Sequence, residues 1–575
     1  MRAWFVLLLA PLALITPASA EVLPENALAG NASAYLAQHA DDPVRWQRWT
    51  SETLALARRL GRPLFVSSGY FSCHWCYVMQ RESFRDAAIA TLLNTHFVPV
   101  KIDREIDTAL DDALIDFVRA SGGVAGWPLN VILTPAAEPW YGFVYLPPQA
   151  LRDTLTGHAA RTPPEPTVVT EAAAPAGRPR DDAAVHAAVQ AALAREADDF
   201  EGGFGTQARF PLAPRLVALL AVPGDDAEVR GFVETTLEAI VSRGLRDHVG
   251  GGFFRYTVDP GWEEPHFEKM LADNAQLAAL LLEAAEALER PEWGAVARQT
   301  LDFLLRDMRR DDGLFASSLS AIDGSGTEGG YYLWTPAQLG RALAPDELRA
   351  ATRLYALGRP PRFAVGHLPR PADGVVLDAA LVERVRTRLF EARALRTLPR
   401  DDKAVMAWNG LVLSAFARAA PLDERYREAG ARLAERLAVV VEGGALPRAL
   451  AADGAALGAG LLEDHALLAA GFAHWEDASG HGRFGRLART LAESAWRDFQ
   501  SDGRWRAGTR TLLRDVAARP LFEAAHQPSP TAALASLARR FAREDKDWAA
   551  RAQQIEDAAR ARIDTAPLDL LGHLR

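Results

Sequence analysis

On either side of residues 161–180 the chain keeps two different hydrophobic periods, and one layer of structure cannot satisfy both. Before this stretch, short apolar runs alternate with helical spacing. Pro63-Leu64-Phe65-Val66-Ser67-Ser68, Phe97 to Asp103, Pro128 to Thr134 and Trp140 to Tyr145 read as four strands. Pro43 to Leu60 reads as an amphipathic helix with Trp46, Trp49, Leu54 and Leu56 toward a core. Further helices are expected over Cys73–Phe84, Ala87–Asn94 and Asp107–Ala120. Strand–helix alternation over residues 21–160 predicts a small α/β domain. Residues 161–180 (RTPPEPTVVTEAAAPAGRPR) carry no apolar period and read as a Pro/Ala-rich linker.

From residue 181 to 575 the spacing is helical and Leu/Ala-rich, as in Val185, Val189 and Leu193, or Leu277, Leu280, Leu281, Ala284 and Leu288. A glycine-marked break recurs at Gly202-Gly203-Phe204, Gly250 to Phe253, Gly313-Leu314-Phe315, Asp373-Gly374, Gly443-Gly444 and Asp502-Gly503. Intervals of roughly fifty to seventy residues hold one helix pair each. Six such units predict an all-α (α/α)6 ring.

The chain has two cysteines, in Cys73-His74-Trp75-Cys76. Random placement would put two cysteines three apart about once in three hundred trials. A dithiol at a helix start after a buried strand is suited to thiol–disulfide exchange, because free amide N–H groups and the helix dipole favour the thiolate. Ser72 is the expected N-cap, with Cys73 in the first turn as the attacking sulfur and Cys76, more buried, as the resolving one. His74 is placed to stabilise the Cys73 thiolate, as a cation or through a hydrogen bond. A static disulfide or packed pair is the bland alternative. A zinc site using His74 or His39 lacks the second cysteine pair that would complete it. No metal and no cofactor is called for.

Residues 1–20 read as a signal peptide: Arg2, an apolar centre, then Ala18-Ser19-Ala20 before Glu21. Export across the inner membrane to the periplasm is the expectation, with no membrane span after signal removal. That compartment is oxidising, yet the two cysteines can close only a short loop, which favours redox over stapling. A net charge of −10 spread along the chain argues against nucleic acid as a partner. Phosphate-loop, H-E-x-x-H and G-x-S-x-G motifs do not occur.

Longer strings carry a family resemblance. They include Tyr35-Leu36-Ala37-Gln38-His39, Asp42 to Trp46, Ser72 to Cys76, Glu82-Ser83-Phe84, Lys101 to Glu105, Gly126-Trp127-Pro128-Leu129, Pro265 to Leu271, Asp273-Asn274-Ala275-Gln276, Asp401-Asp402-Lys403 and Trp408-Asn409-Gly410-Leu411. With these the chain resembles the spermatogenesis-associated protein 20 family. The resemblance implies a multi-domain fold: an α/β thioredoxin-like domain, then an all-α (α/α)6 toroid of six-hairpin glycosidase type. This chain has Tyr77 and Phe254 where the family has His.

The resemblance implies that Trp127-Pro128 is a cis-proline loop, offering backbone to a substrate across from the dithiol. Thioredoxins that reduce disulfides bury an acid six residues before the first cysteine; here that position is Ser67. Proton transfer from Cys76 would then need water, Asp103 or Glu82. In the toroid, candidate pocket residues are His266, Glu268, Asp273, Asn274, Asp402, Trp408, Asn409, Glu463, Asp464 and His465, since sugar chemistry uses paired carboxylates or His/Glu sets. Asp323 and Glu328 join them. The expected function is thiol–disulfide exchange on a protein thiol or disulfide, with the toroid holding a partner, such as a glycan or glycoprotein. The alternatives are a glycoside hydrolase or sugar epimerase with an accessory first domain, and a non-catalytic scaffold.

Overall fold

Strand β1 (Leu64–Gly69) is buried along its whole length because sheet strands flank it on both edges and helices cover both faces. It pairs parallel with β2 (Val98–Asp103) and antiparallel with β3 (Leu129–Leu133), which pairs antiparallel with β4 (Pro139–Phe143). Side chains alternate across the sheet. Leu64, Val66, Val98, Val100, Val131 and Leu133 pack on the helices Ser51–Leu60 and Thr108–Ala120. Phe65 and Ile132 face the opposite layer, with Trp46, Phe84 and Leu93. The computed structural model describes residues 23–161, 177–222, 226–372, 374–509, 512–513, 518–524 and 526–575. The expected signal peptide, and the linker apart from residues 161 and 177–180, lie outside them.

The helix expected from Pro43 starts only at Ser51. Thr50 caps it, its hydroxyl accepting from Thr53 N. The residues before it are drawn into the sheet edge: Gln47 N donates to Pro99 O at 2.8 Å and Lys101 N to Gln47 O at 3.1 Å. Trp46 is still buried, but from an extended segment.

Beyond residue 181 the helices close a ring. Its inner members are Ala213–Leu220, Leu271–Ala287, Met406–Ala419, Leu462–Ser479, Pro530–Phe541 and the terminal pair Pro567–Leu570 and Leu571–Leu574, which returns to Ala213–Leu220. Each packs on one outer helix: in the same order Ala227–Ser242, Pro291–Phe303, Glu424–Glu442, Gly482–Phe499, Lys546–Arg560 and Asp182–Glu196. The last inner segment thus pairs with the first outer helix. Inner helices approach closely at Gly410, where a Cβ would lie 2.6 Å from Leu467 O.

The predicted breaks at Gly202, Gly250, Gly313, Gly443 and Gly503 each follow an outer helix. Gly374 does not. It lies in an excursion whose helices Pro336–Ala342, Pro345–Leu354 and Ala379–Arg393 build a separate apolar cluster. The C-terminal segment, not that break, supplies the sixth unit. Two breaks are tied to the ring alike. Asn274 accepts from Phe253 N and donates to Phe253 O and Met270 O. Asn409 does the same with Phe315 and Val405.

The α/β domain sits across the rim formed by the starts of the inner helices. Lys403, just before Met406–Ala419, reaches Asp103 at 3.3 Å and Glu105 at 2.7 Å, and also Asp401. Arg448 donates to Glu105 O and Thr108 Oγ1, and its guanidinium binds Asp464. Among the described residues no helix is long and apolar enough to cross a membrane.

Candidate functional site

β1 delivers the chain through Tyr70–Ser72 to a helix over His74–Met79, which passes into a π-helical turn, Gln80–Phe84. Cys73, rather than Ser72, is the N-cap: its sulfur accepts from Cys76 N at 3.1 Å. The Ser72 hydroxyl is directed instead at Glu268 and Met270 in the toroid. Cys73 and Cys76 are joined in a disulfide. Both are buried, Cys73 at 5 % exposure and Cys76 at 2 %, so the expected contrast in accessibility is slight. Trp75 points outward at 39 % exposure and packs on Tyr145, 4.9 Å between ring centroids.

The Trp127–Pro128 peptide is cis. Ser68 is paired with Leu129, so continuing the register sets Pro128 across from Gly69. A Cβ at Gly69 would lie 2.8 Å from Cys76 Sγ. The Trp127 indole is fixed by Asp111, which accepts its N–H, and by Arg104, whose guanidinium lies 4.1 Å from a Trp127 ring centroid.

The disulfide lines a cavity of about 230 Å³. Tyr35, His39, Tyr70 and Tyr77 form its near wall, and the toroid residues Ser320, Ile322, Asp323, Gly326 and Pro399 its far wall. Ala321 N donates to Ser72 O, closing the seam between the two domains. Tyr77 is in contact range of Gly326, whose Cβ position is 3.0 Å from the Tyr77 hydroxyl.

No carboxylate replaces Ser67. Its hydroxyl accepts from Lys101 Nζ at 3.0 Å. The Lys101 ammonium lies among the rings of Tyr35, Trp46 and Phe84, 4.6–5.3 Å from their centroids, and burial pulls its pKa down to about 7. Asp103 is engaged by the Ser33 hydroxyl and Lys403, while Glu82 accepts from Tyr145 on the exposed side. Neither is free to serve Cys76 as expected.

His74 turns toward the toroid. Its Nε2 is 3.3 Å from Glu328 Oε2, and His266 Nδ1 is 2.6 Å from Glu328 Oε1. The two imidazoles stack 5.6 Å apart. Burial lowers the His74 pKa, and the neighbouring His266 adds to this against the pull of Glu328.

Of the other toroid candidates, Glu268 and Asp273 come together, both beside Arg255. Glu268 accepts from the Tyr70 hydroxyl at 3.2 Å, and burial raises its pKa. Asp273 is raised to about 6 by burial, with Arg255 opposing, and borders a cavity of about 10 Å³ with Gln276 and His526, space for one water. Asn274 and Asn409 are the loop ties described above. Trp408 is core at 2 % exposure. Asp402 pairs with Arg400 near the surface. Glu463 and Asp464 both meet Arg448 at 2.7 Å, and Asp464 also accepts from Ala407 N and Leu461 N. His465 is bound to Leu461 O. The Tyr70 hydroxyl and the Arg255 guanidinium engage Glu268 instead, with Arg255 4.9 Å from the Tyr70 ring centroid. Tyr35, Lys101 and Arg255 were not among the expected site residues. All three stand in strings that carry the family resemblance, Arg255 in Arg255-Tyr256-Thr257-Val258-Asp259, but nothing in their spacing ties them to residue 76.

Residues 25–159 match the family model described as Thioredox_DsbH, protein of unknown function, DUF255. Human spermatogenesis-associated protein 20 is 32 % identical over 465 residues, 70 % of this chain and 59 % of that protein. The chain belongs to this family. The rat spermatogenesis-associated protein 20 is 30 % identical over 68 % of this chain and 58 % of its own length. The chain therefore matches somewhat under two thirds of these relatives. Among solved structures, a D-mannose isomerase aligns over 66 % of this chain and 86 % of its own, with a TM-score of 0.44 and 11 % identity. The chain thus joins a thioredoxin-like domain to a closed ring of paired helices.

Proposed function

We propose that the protein carries out thiol–disulfide exchange at Cys73–Cys76 on slender thiols or disulfides that enter the cavity between its two domains. The observation that carries this reading is the disulfide lining that cavity, across β1 from the cis Trp127–Pro128 edge. A volume of about 230 Å³ lies below the usual range for drug-sized ligands, roughly 300–1,000 Å³. It suits a cysteine side chain with little flanking backbone, or a small aminothiol. An incoming thiolate bonds to Cys73 Sγ; the Cys73–Cys76 bond breaks and its electron pair leaves on Cys76. In reverse, Cys73 at the helix N-cap, facing Cys76 N–H, is the thiolate favoured by position. The toroid supplies the far wall and selects what enters. The signal-like residues 1–20 support an exported, periplasmic setting.

The Cys76→Ser protein tests this. Incubated with cystine or glutathione disulfide, it is expected to form a stoichiometric Cys73 adduct by intact mass, and to react far more slowly with folded disulfide proteins. Absence of any adduct in the native protein, with Cys73 alkylated normally after denaturation, would sink the proposal.

A further inference from the structure

The Tyr35 hydroxyl is buried and finds no hydrogen-bond partner among the described residues. Buried hydroxyls are rarely left so. Its surroundings show what it faces. A Cβ at Gly69 would stand 2.2 Å from Tyr35 Oη and 2.8 Å from Cys76 Sγ, so the hydroxyl and the sulfur flank one point. Any side chain at 69 would fill that point; glycine keeps it clear. Two residues back on the same face of β1, Ser67 holds Lys101.

In the disulfide, Cys76 Sγ is a neutral, weak acceptor. When the bond opens it becomes a thiolate at a site only 2 % exposed, where little water can solvate it. We propose that the Tyr35 hydroxyl is the hydrogen-bond donor that receives the Cys76 thiolate when the Cys73–Cys76 bond opens, with the Lys101 ammonium as counter-charge about one strand period away. This rests on the exchange reading above. The electron pair of the broken bond stays on Cys76, and Tyr35 keeps its proton. Its pKa is raised well above the ordinary value by burial and by Asp103, Asp42 and Asp111. From the other sides Tyr35 meets Lys101 on β2 and His39, 5.2 Å away edge to face. Tyr35 is thus a catalytic residue that stabilises the leaving sulfur by a hydrogen bond, without the proton transfer a buried acid performs.

Two measurements test this. In a Cys73→Ser background, the thiolate absorbance of Cys76 is titrated with and without Tyr35→Phe, which keeps the packed ring. The Phe variant is expected to raise the Cys76 pKa by about one unit or more, tenfold in thiolate stability. With both cysteines present, Tyr35→Phe is expected to shift the equilibrium with glutathione about tenfold toward the protein disulfide. Lys101→Met is expected to move both in the same direction and carries the test alone if Tyr35→Phe does not fold. An unchanged titration in a variant whose thermal unfolding shows it folded overturns the proposal. If the wild-type disulfide does not equilibrate with glutathione at all, the exchange reading fails, and the Cys76 titration still decides the role of Tyr35.

Discussion

His74, inside the dithiol motif, and His266, from the toroid, stack 5.6 Å apart while Glu328 binds both. One carboxylate thus bridges the two domains beside the redox pair. Glu328 is 30 % exposed at its side chain, so its removal should cost at most about 1 kcal/mol of stability. Glu328→Gln is expected to speed reduction of the disulfide by dithiothreitol several-fold, because the wall beside the cavity loosens. Stopped-flow reduction of the two proteins checks it; an unchanged rate means that the bridge does not gate access.

Lys403 sits at 1 % side-chain exposure among Asp103, Glu105 and Asp401. Replacing it with Met leaves three buried carboxylates short of their cation. The expected loss is about 3–5 kcal/mol, read as a lower urea midpoint with the m-value intact. A neutral result would show that the Lys403 ion pairs do not hold the two domains together.

His573 is held neutral. Burial presses its pKa to about 4, and Arg539 adds to the effect. In the unfolded chain it titrates near ~6.5. Between those values the unfolded state binds the extra proton, so this group's contribution is complete above pH ~6.5 and is lost as pH falls toward about 4. Relative to His573→Gln, the wild type should lose about 1.4 kcal/mol per pH unit across that window. Parallel urea curves at pH 7, 6 and 5 measure the difference. A constant gap would contradict a buried neutral imidazole.

Asn274 and Asn409 make equivalent sets of three hydrogen bonds to successive loop ties of the ring. Either Asn→Ala change strands buried backbone groups of a Phe. We expect about 2–4 kcal/mol for each in chemical denaturation. An Asn409→Ala protein as stable as the wild type would remove the case for these ties.

The strands and most helices were legible because alternation and helical spacing are local. So was the ring, since glycine breaks recur after outer helices. The helix over-extended to Pro43 shows the limit: Trp46 and Trp49 fit a helical face, but backbone pairing of Gln47 to Pro99 and Lys101 outweighed it. The dithiol and the cis proline loop were found from short motifs. What lay hidden was contact between distant segments. Glu328 is 254 residues from His74, and Tyr35 is 41 from Cys76. Asp464, Asn409 and Trp408 looked like chemistry because polar and aromatic residues open inner helices; there they serve as ties, charge partners and core.

The ring's seam joins its earliest and latest helices, where Arg215 holds Asp569 at 2.6 Å and Pro567–Leu574 returns to Ala213–Leu220. During vectorial synthesis the toroid must therefore wait as an open arc until residue 567 has cleared the ribosome. Until then the side of Ala213–Leu220 that Pro567–Leu574 packs against lacks its cover, and apolar surface of this kind is where a half-made chain aggregates.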